Sequence, residues 1–216
     1  MVSAPAAQLG IEPSSVSDRP AERIRARLMA HAAGAGNDLA FASMIASQVA
    51  GAGALPPWLG LQAGAFRRLL AYHFPGVRFP VVADPPGPER PGGQPRCRLV
   101  SDQVPDPRED ERGELERLLL MHRAGESPSE VWMAQVVAAG CMSSDHLWQD
   151  LGLMDRRELT ALMRRNFPAL AGRNVRDMKW KRFLYKQLCE AEGIYTCRAP
   201  SCEVCTDYHV CFGPDG

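Results

Sequence analysis

Apolar residues recur at intervals of three and four along most of this 216-residue chain. From Glu114 to His122, "ELERLLLMH" sets Leu115, Leu118, Leu119 and Met121 against charged positions, the period of a helix with one covered face. From Lys179 to Glu190, "KWKRFLYKQLCE" places Trp180, Phe183, Leu184 and Leu188 on one stripe, with Lys181, Arg182 and Lys186 largely off it. Runs of alternating β-branched residues, the mark of half-buried strands, are almost absent. The expected fold class is all-α.

Two stretches interrupt the periodicity. Residues 1–20 are rich in Ala, Pro and Ser and read as a disordered tail. Between Asp84 and Pro95, eight of twelve positions are Pro or Gly, which neither helix nor strand accommodates. Asp102 to Glu111 extends that linker with Pro105, Pro107 and a charge run. The chain divides into a tail over 1–20, an N-terminal helical half over 21–82, a Pro/Gly-rich linker over 83–112, a C-terminal helical half over 113–192 and a cysteine-rich cluster-binding segment over 193–216.

The two halves read as related. An offset of 91 sets Ile24, Leu28, His31 and Gly34 on Leu115, Leu119, His122 and Gly125, and Phe41 and Ile45 on Trp132 and Val136. An offset of 92 brings "LGL" at 59–61 onto "LGL" at 151–153, and 93 brings Leu69, Phe74 and Pro75 onto Leu162, Phe167 and Pro168. Convergence on similar helix stops is the competing explanation, because "FP" ends helices generically. His31 and His122 match, which suits a repeated structural role. His146 has no matching histidine; its surroundings, "CMSSDHLWQD", are polar where the first half reads "GAGALPP".

Composition narrows the function. Lys+Arg and Asp+Glu are both 25, so charge gives no reason to expect nucleic acid or an acidic membrane as partner. No apolar run approaches the length of about 20 residues that spans a bilayer. The first twenty residues lack a charged stretch followed by an apolar one, so export is not expected and the expected location is cytoplasmic. No nucleophile-with-base pair, phosphate loop or complete cofactor fingerprint is present, so the chain is not expected to be an enzyme.

Four of the seven cysteines fall within fifteen residues: Cys197, Cys202, Cys205 and Cys211. In a reducing compartment such a cluster points to metal or redox chemistry, not to disulfides. Structural zinc sites usually draw on two well-separated knuckles. Here the spacing C-x4-C-x2-C-x5-C surrounds one loop, and its opening matches that of plant-type ferredoxins. Spacing therefore favours an iron–sulfur cluster, with zinc and unligated redox thiols left open. Pro200 stiffens the approach to Cys202, and Gly213-Pro214 closes the segment. Six basic residues against one acid, Asp177, between Arg173 and Lys186 form either a solvated face or one that offsets cluster charge or docks an acidic partner.

The tail "MKWKRFLYKQLCEAEGIYTCRAPSCEVCTDYHVCFGPDG", with "HLWQDLGLMDRRELTALMRRNFPALAGRN" upstream and "NDLAFASMIA" near residue 40, resembles the NifQ family of nitrogen-fixation proteins. The resemblance covers most of the chain outside the first residues and the linker. It implies an iron–sulfur protein carrying molybdenum in a Mo–Fe–S cluster, of [4Fe-4S] or Mo-Fe3-S4 type, and giving it up for synthesis of the nitrogenase iron–molybdenum cofactor. It implies Cys197, Cys202, Cys205 and Cys211 as ligands, and the nitrogenase reductase and the cofactor-assembly scaffold as acceptors.

A molybdenum corner needs ligands beyond sulfide, and imidazole or carboxylate suits it. The candidates are His209 and Asp207 within the loop, and Cys141, Asp145 and His146 upstream. Against each stands a plainer role: a helix cap for His146, small apolar filling for Cys141 and Cys189, an incidental linker position for Cys97. Trp132, Trp148 and Trp180 read as core. Three functions stay distinct: a metallocluster carrier, a zinc-stabilised interaction module and an iron–sulfur electron carrier.

Overall fold

Pro20 opens helix α1 (Pro20–Met29), where its missing N–H is no loss and its fixed φ already suits a helix. Glu22 in the first turn and Arg27 in the last complement the helix dipole. The computed structural model describes residues 20–77 and 107–191, and no strand occurs among them. After α1 come α2 (Asp38–Val49), a 3-10 turn (Pro57–Gly60) and α3 (Ala63–His73). The second stretch contains α4 (Pro107–Met121), α5 (Ser129–Cys141), the single turn α6 (Leu147–Asp150), α7 (Arg156–Asn166), the single turn α8 (Pro168–Ala171) and α9 (Trp180–Ala191). The all-α expectation holds for the described residues. Residues 1–19, most of the linker and the cysteine segment lie outside them.

The linker reading needs a correction. Residues 107–112 are helical, the first turns of α4. Pro107 is the first helical residue, and Glu109 and Asp110 follow in the first turn, a favourable start for a helix. Tertiary contacts then hold this end: Glu111 accepts a hydrogen bond from the Tyr185 hydroxyl, and Arg112 Nη2 reaches Gly60 O at 3.4 Å. The expected stripe of α4 is also off by one position. Leu115, Leu118 and Leu119 are buried, but Met121 is 74% exposed, because at about 100° per residue it falls outside the arc that those three share.

The offsets found in sequence recur in the fold. Adding 93 to both ends of α3 gives both ends of α7, and adding 91 to the start of α2 gives the start of α5. Phe74 and Phe167 end their helices with φ, ψ of −135°, 63° and −134°, 57°. Each precedes a proline, whose ring drives the residue before it out of the helical region. The loop before the second helix is closed the same way in each half. Gly34 (φ +85°) donates to Asp38 Oδ2 at 2.7 Å, and Gly125 (φ +81°) donates to Glu130 Oε2 at 2.6 Å. Ala33 N–H bonds His73 O, and Ala124 N–H bonds Asn166 O, both at 2.9 Å.

One hydrophobic core joins the halves. Leu28, Phe41, Ile45, Leu59, Leu69 and Phe74 are buried, as are their offset partners Leu119, Val136, Leu151, Leu162 and Phe167, with Trp132 partly covered. The repeated "LGL" has a reciprocal purpose. A Cβ on Gly60 (φ +78°) would stand 2.7 Å from Ala139 Cβ, and one on Gly152 (φ +70°) would stand 2.2 Å from Ser47 Cβ. Ser47 and Ala139 are themselves related by 92. Each half thus presses a side-chain-free turn onto the second helix of the other. The turns differ in one respect: Trp58 and Leu59 lie in the left-handed region (φ 56° and 60°), whereas α6 is right-handed.

Candidate functional site

α9 is the last described element before the segment that holds Cys197, Cys202, Cys205 and Cys211, so its anchoring decides where that segment begins. Trp180, Phe183 and Leu184 are buried, with the Trp180 and Phe183 rings edge to face at 5.7 Å. Burying side chains of this size is worth about 1.5–3 kcal/mol each. Trp180 Nε1 donates to Thr160 Oγ1 at 3.1 Å, and Tyr185 donates to Glu111. The stripe read from sequence therefore faces the core, with Leu188 at its margin.

Lys181 departs from the expected polar face. Its Nζ donates to Ser143 O at 2.6 Å and to Asp150 Oδ2, in an ion pair whose side chains are 15% and 1% exposed. Burial pushes the Asp150 carboxyl above the usual carboxylate range, and the Lys181 ammonium opposes that. Asp150 Oδ1 has no hydrogen-bond partner. The pair ties α9 to the 143–150 segment, whose polarity stood out in the sequence.

No three His, Cys, Asp or Glu side chains converge on one point among the described residues. Cys141 is fully buried at the end of α5, and burial pushes its thiol up to about 12. It fills core space as a neutral thiol. His146 is the N-cap of α6, and its backbone N–H donates to Gln149 Oε1 at 3.3 Å. Asp145 is exposed beside it, and Cys189 is half-buried on α9. Trp180 is core, whereas Trp132 and Trp148 are partly buried against it. The four motif cysteines, Cys97, Asp207 and His209 lie outside the described residues.

His31 and His122 both follow the last turn of their helices, with N–H groups bonded to Leu28 O and Leu119 O. His122 Nδ1 also lies 2.9 Å from Leu118 O. The histidine that composition and spacing did not single out is His73, which is fully buried with Nδ1 2.6 Å from Asp38 Oδ1. Burial lowers its pKa, opposed by the hydrogen bond and charge of Asp38. Nε2 has no partner, which suits a neutral ring carrying its proton on Nδ1. A signal existed: His73 and Asn166 occupy matching positions before "FP". Asn166 is equally buried and exchanges amide hydrogen bonds with Asn37 at 2.6 and 3.0 Å across the two halves.

Comparison with known proteins adds the context that the described residues lack. The family model described as NifQ matches residues 40–213. "Protein NifQ" of Azotobacter vinelandii is 43% identical over 179 residues, covering 83% of this chain and 89% of that one. "Protein NifQ" of Rhodobacter capsulatus is 33% identical over 77% of this chain and 82% of its own length. "Protein NifQ homolog" of Sinorhizobium fredii is 46% identical over 55% of this chain and 50% of its own. No solved structure matches.

Proposed function

The chain belongs to the NifQ family, and from that premise we propose that it carries molybdenum in a Mo–Fe–S cluster and donates it to synthesis of the nitrogenase iron–molybdenum cofactor. The observation that carries the proposal is the extent of the family match. It runs to residue 213 and takes in Cys197, Cys202, Cys205 and Cys211 in their C-x4-C-x2-C-x5-C spacing. These four thiolates hold the cluster, which is the protein's cargo, and the helical body presents it. The chain performs no turnover chemistry of its own; its acceptors are the nitrogenase reductase and the cofactor-assembly scaffold. Among the upstream candidates, Asp145 is exposed and His146 partly exposed, whereas Cys141 is closed into the core.

The test is anaerobic purification followed by analysis for iron, molybdenum, zinc and acid-labile sulfide. Iron and sulfide are expected in the wild type, with molybdenum after loading. Serine in place of Cys197, Cys202, Cys205 or Cys211 should lower bound iron several-fold, and Cys97→Ser should leave it unchanged. A lone zinc ion without iron or sulfide would overturn the proposal, and equal iron in all five variants would overturn the ligand set.

A further inference from the structure

Charge sums to zero over the chain but not along it. Residues 156–190 carry ten Lys or Arg against three acids, leaving 15 against 22 elsewhere. Much of that excess is anchored: Arg156 pairs with Asp177, Arg157 with Asp155 and Lys181 with Asp150. The loop between α8 and α9 is different. Arg173, Val175 and Arg176 are all exposed there, Val175 at 85%.

This loop is held firmly from behind. Asn174 clamps it, its Oδ1 accepting from Met178 N–H at 2.8 Å and its Nδ2 donating to Met178 O at 3.0 Å. Arg156 Nη2 reaches Asp177 O at 2.6 Å and Met178 O at 3.1 Å. Asp177 sits in the left-handed region at φ +49°, which a non-glycine residue adopts at a cost of about 1–2 kcal/mol. Because Asp177's carboxylate is already met by Arg156 at 2.8 Å, the tip projects positive charge around an apolar point. Arg173 Nη1 lies 3.4 Å from Gln187 Oε1, so the tip stands beside the outer turns of α9, the helix that leads to the cysteine segment.

The geometry points to this tip, Arg173-Val175-Arg176, as the docking surface for an acidic face of a partner protein; Lys186 on the nearby helix is already paired with Glu190 at 3.5 Å. The inference rests on the delivery reading, since a carrier must meet an acceptor and hold it near the cargo. A pre-organised loop loses little entropy on docking, and an apolar centre with charged flanks is how protein interfaces are built. Nucleic acid is the poorer fit: the loop "GRNVRDMK" carries no aromatic side chain on which a base could stack. Complementary charge acts chiefly on the rate of encounter, so that is the quantity to read.

The experiment uses the full-length chain, loaded anaerobically, with purified nitrogenase reductase and purified assembly scaffold as probes. Association rates are measured at about 0.05 M and about 0.5 M salt, which span weak and strong screening. Wild-type association with at least one probe should slow as salt rises. R173E/R176E should reduce the low-salt rate on the order of tenfold and flatten the salt dependence, with R173Q/R176Q in between. Iron and molybdenum content should not change in either variant. Unaltered rates in R173E/R176E, or no association of the wild type with either probe, would overturn the docking surface. Loss of iron in step with the charge change would also overturn it, by showing that the arginines serve the chain's own cluster. So would a single-stranded oligonucleotide that binds with the same salt slope and competes. Protein that takes up no molybdenum on loading yet still docks through Arg173 and Arg176 would retire the delivery reading and leave the surface standing.

Discussion

His73 shows what a single buried side chain asks of its surroundings. The ring is held neutral by burial, with Asp38 accepting its one proton and Nε2 facing no acceptor. Its pKa is lower in the folded than in the unfolded chain, where it titrates near 6.5. The unfolded chain therefore takes up the proton first as pH falls. Stability from this site is complete above about pH 6.5 and is lost progressively as pH drops toward the lowered folded value. Urea denaturation at steps from about pH 8 to about pH 5 should show this fall. In His73→Asn, which places an amide where Asn166 stands in the other half, that fall should be visibly shallower than in the wild type. The variant should lose about 1–3 kcal/mol at neutral pH through imperfect hydrogen bonding of Asp38. An identical pH profile in both proteins would rule out His73 as the source.

Between elements, the decisive contacts are made where side chains are missing. Gly34, Gly60 and Gly152 all have positive φ, but they differ in what surrounds them. A Cβ at Gly34 meets nothing within 4 Å, so Gly34→Ala should cost only the backbone term of about 1–2 kcal/mol. At Gly152 the same methyl collides with Ser47, and the overpacking term of about 1–3 kcal/mol adds to the backbone one. Combining Gly152→Ala with Ser47→Gly should recover part of the second term. A double-mutant cycle by chemical denaturation should give a coupling of about 1 kcal/mol or more. Zero coupling would mean that the turn does not press on α2 as the geometry shows. The helix stops are simpler, since at Phe74 and Phe167 a following proline ends α3 and α7 without help from the rest of the fold.

At the scale of the whole molecule, α9 is the element whose attachment bears on function. Its apolar stripe packs on the bundle, and Lys181 reaches into the 143–150 segment to meet Asp150 and Ser143. Removing one partner leaves the other charge buried and unpaired. Lys181→Met should therefore destabilise the protein by about 3–5 kcal/mol. Asp150→Asn, which keeps a hydrogen-bonding group of the same shape, should cost less, and Lys181→Met with Asp150→Leu should regain much of the loss. Thermal unfolding gives the order of the three, and hydrogen exchange should show the α9 amides losing protection first in Lys181→Met. Equal stability of Lys181→Met and wild type would show that the pair does not secure the helix.

The helical class, the repeat with its offsets and the cysteine spacing are legible in residue order alone, because periodicity, proline stops and close ligand spacing are local properties written within a few residues of each other. Even the repeated "LGL" was legible as a pattern, though not as a pair of contacts. Tertiary packing is what takes Lys181 off its polar face to Asp150. It alone paired His73 with Asp38 and Asn37 with Asn166, and set Gly152 against Ser47. These depend on which distant groups share a small volume once water is excluded. In that volume an unpaired polar atom or an extra methyl costs about 1–3 kcal/mol, and no local pattern of residues records which partner lies opposite.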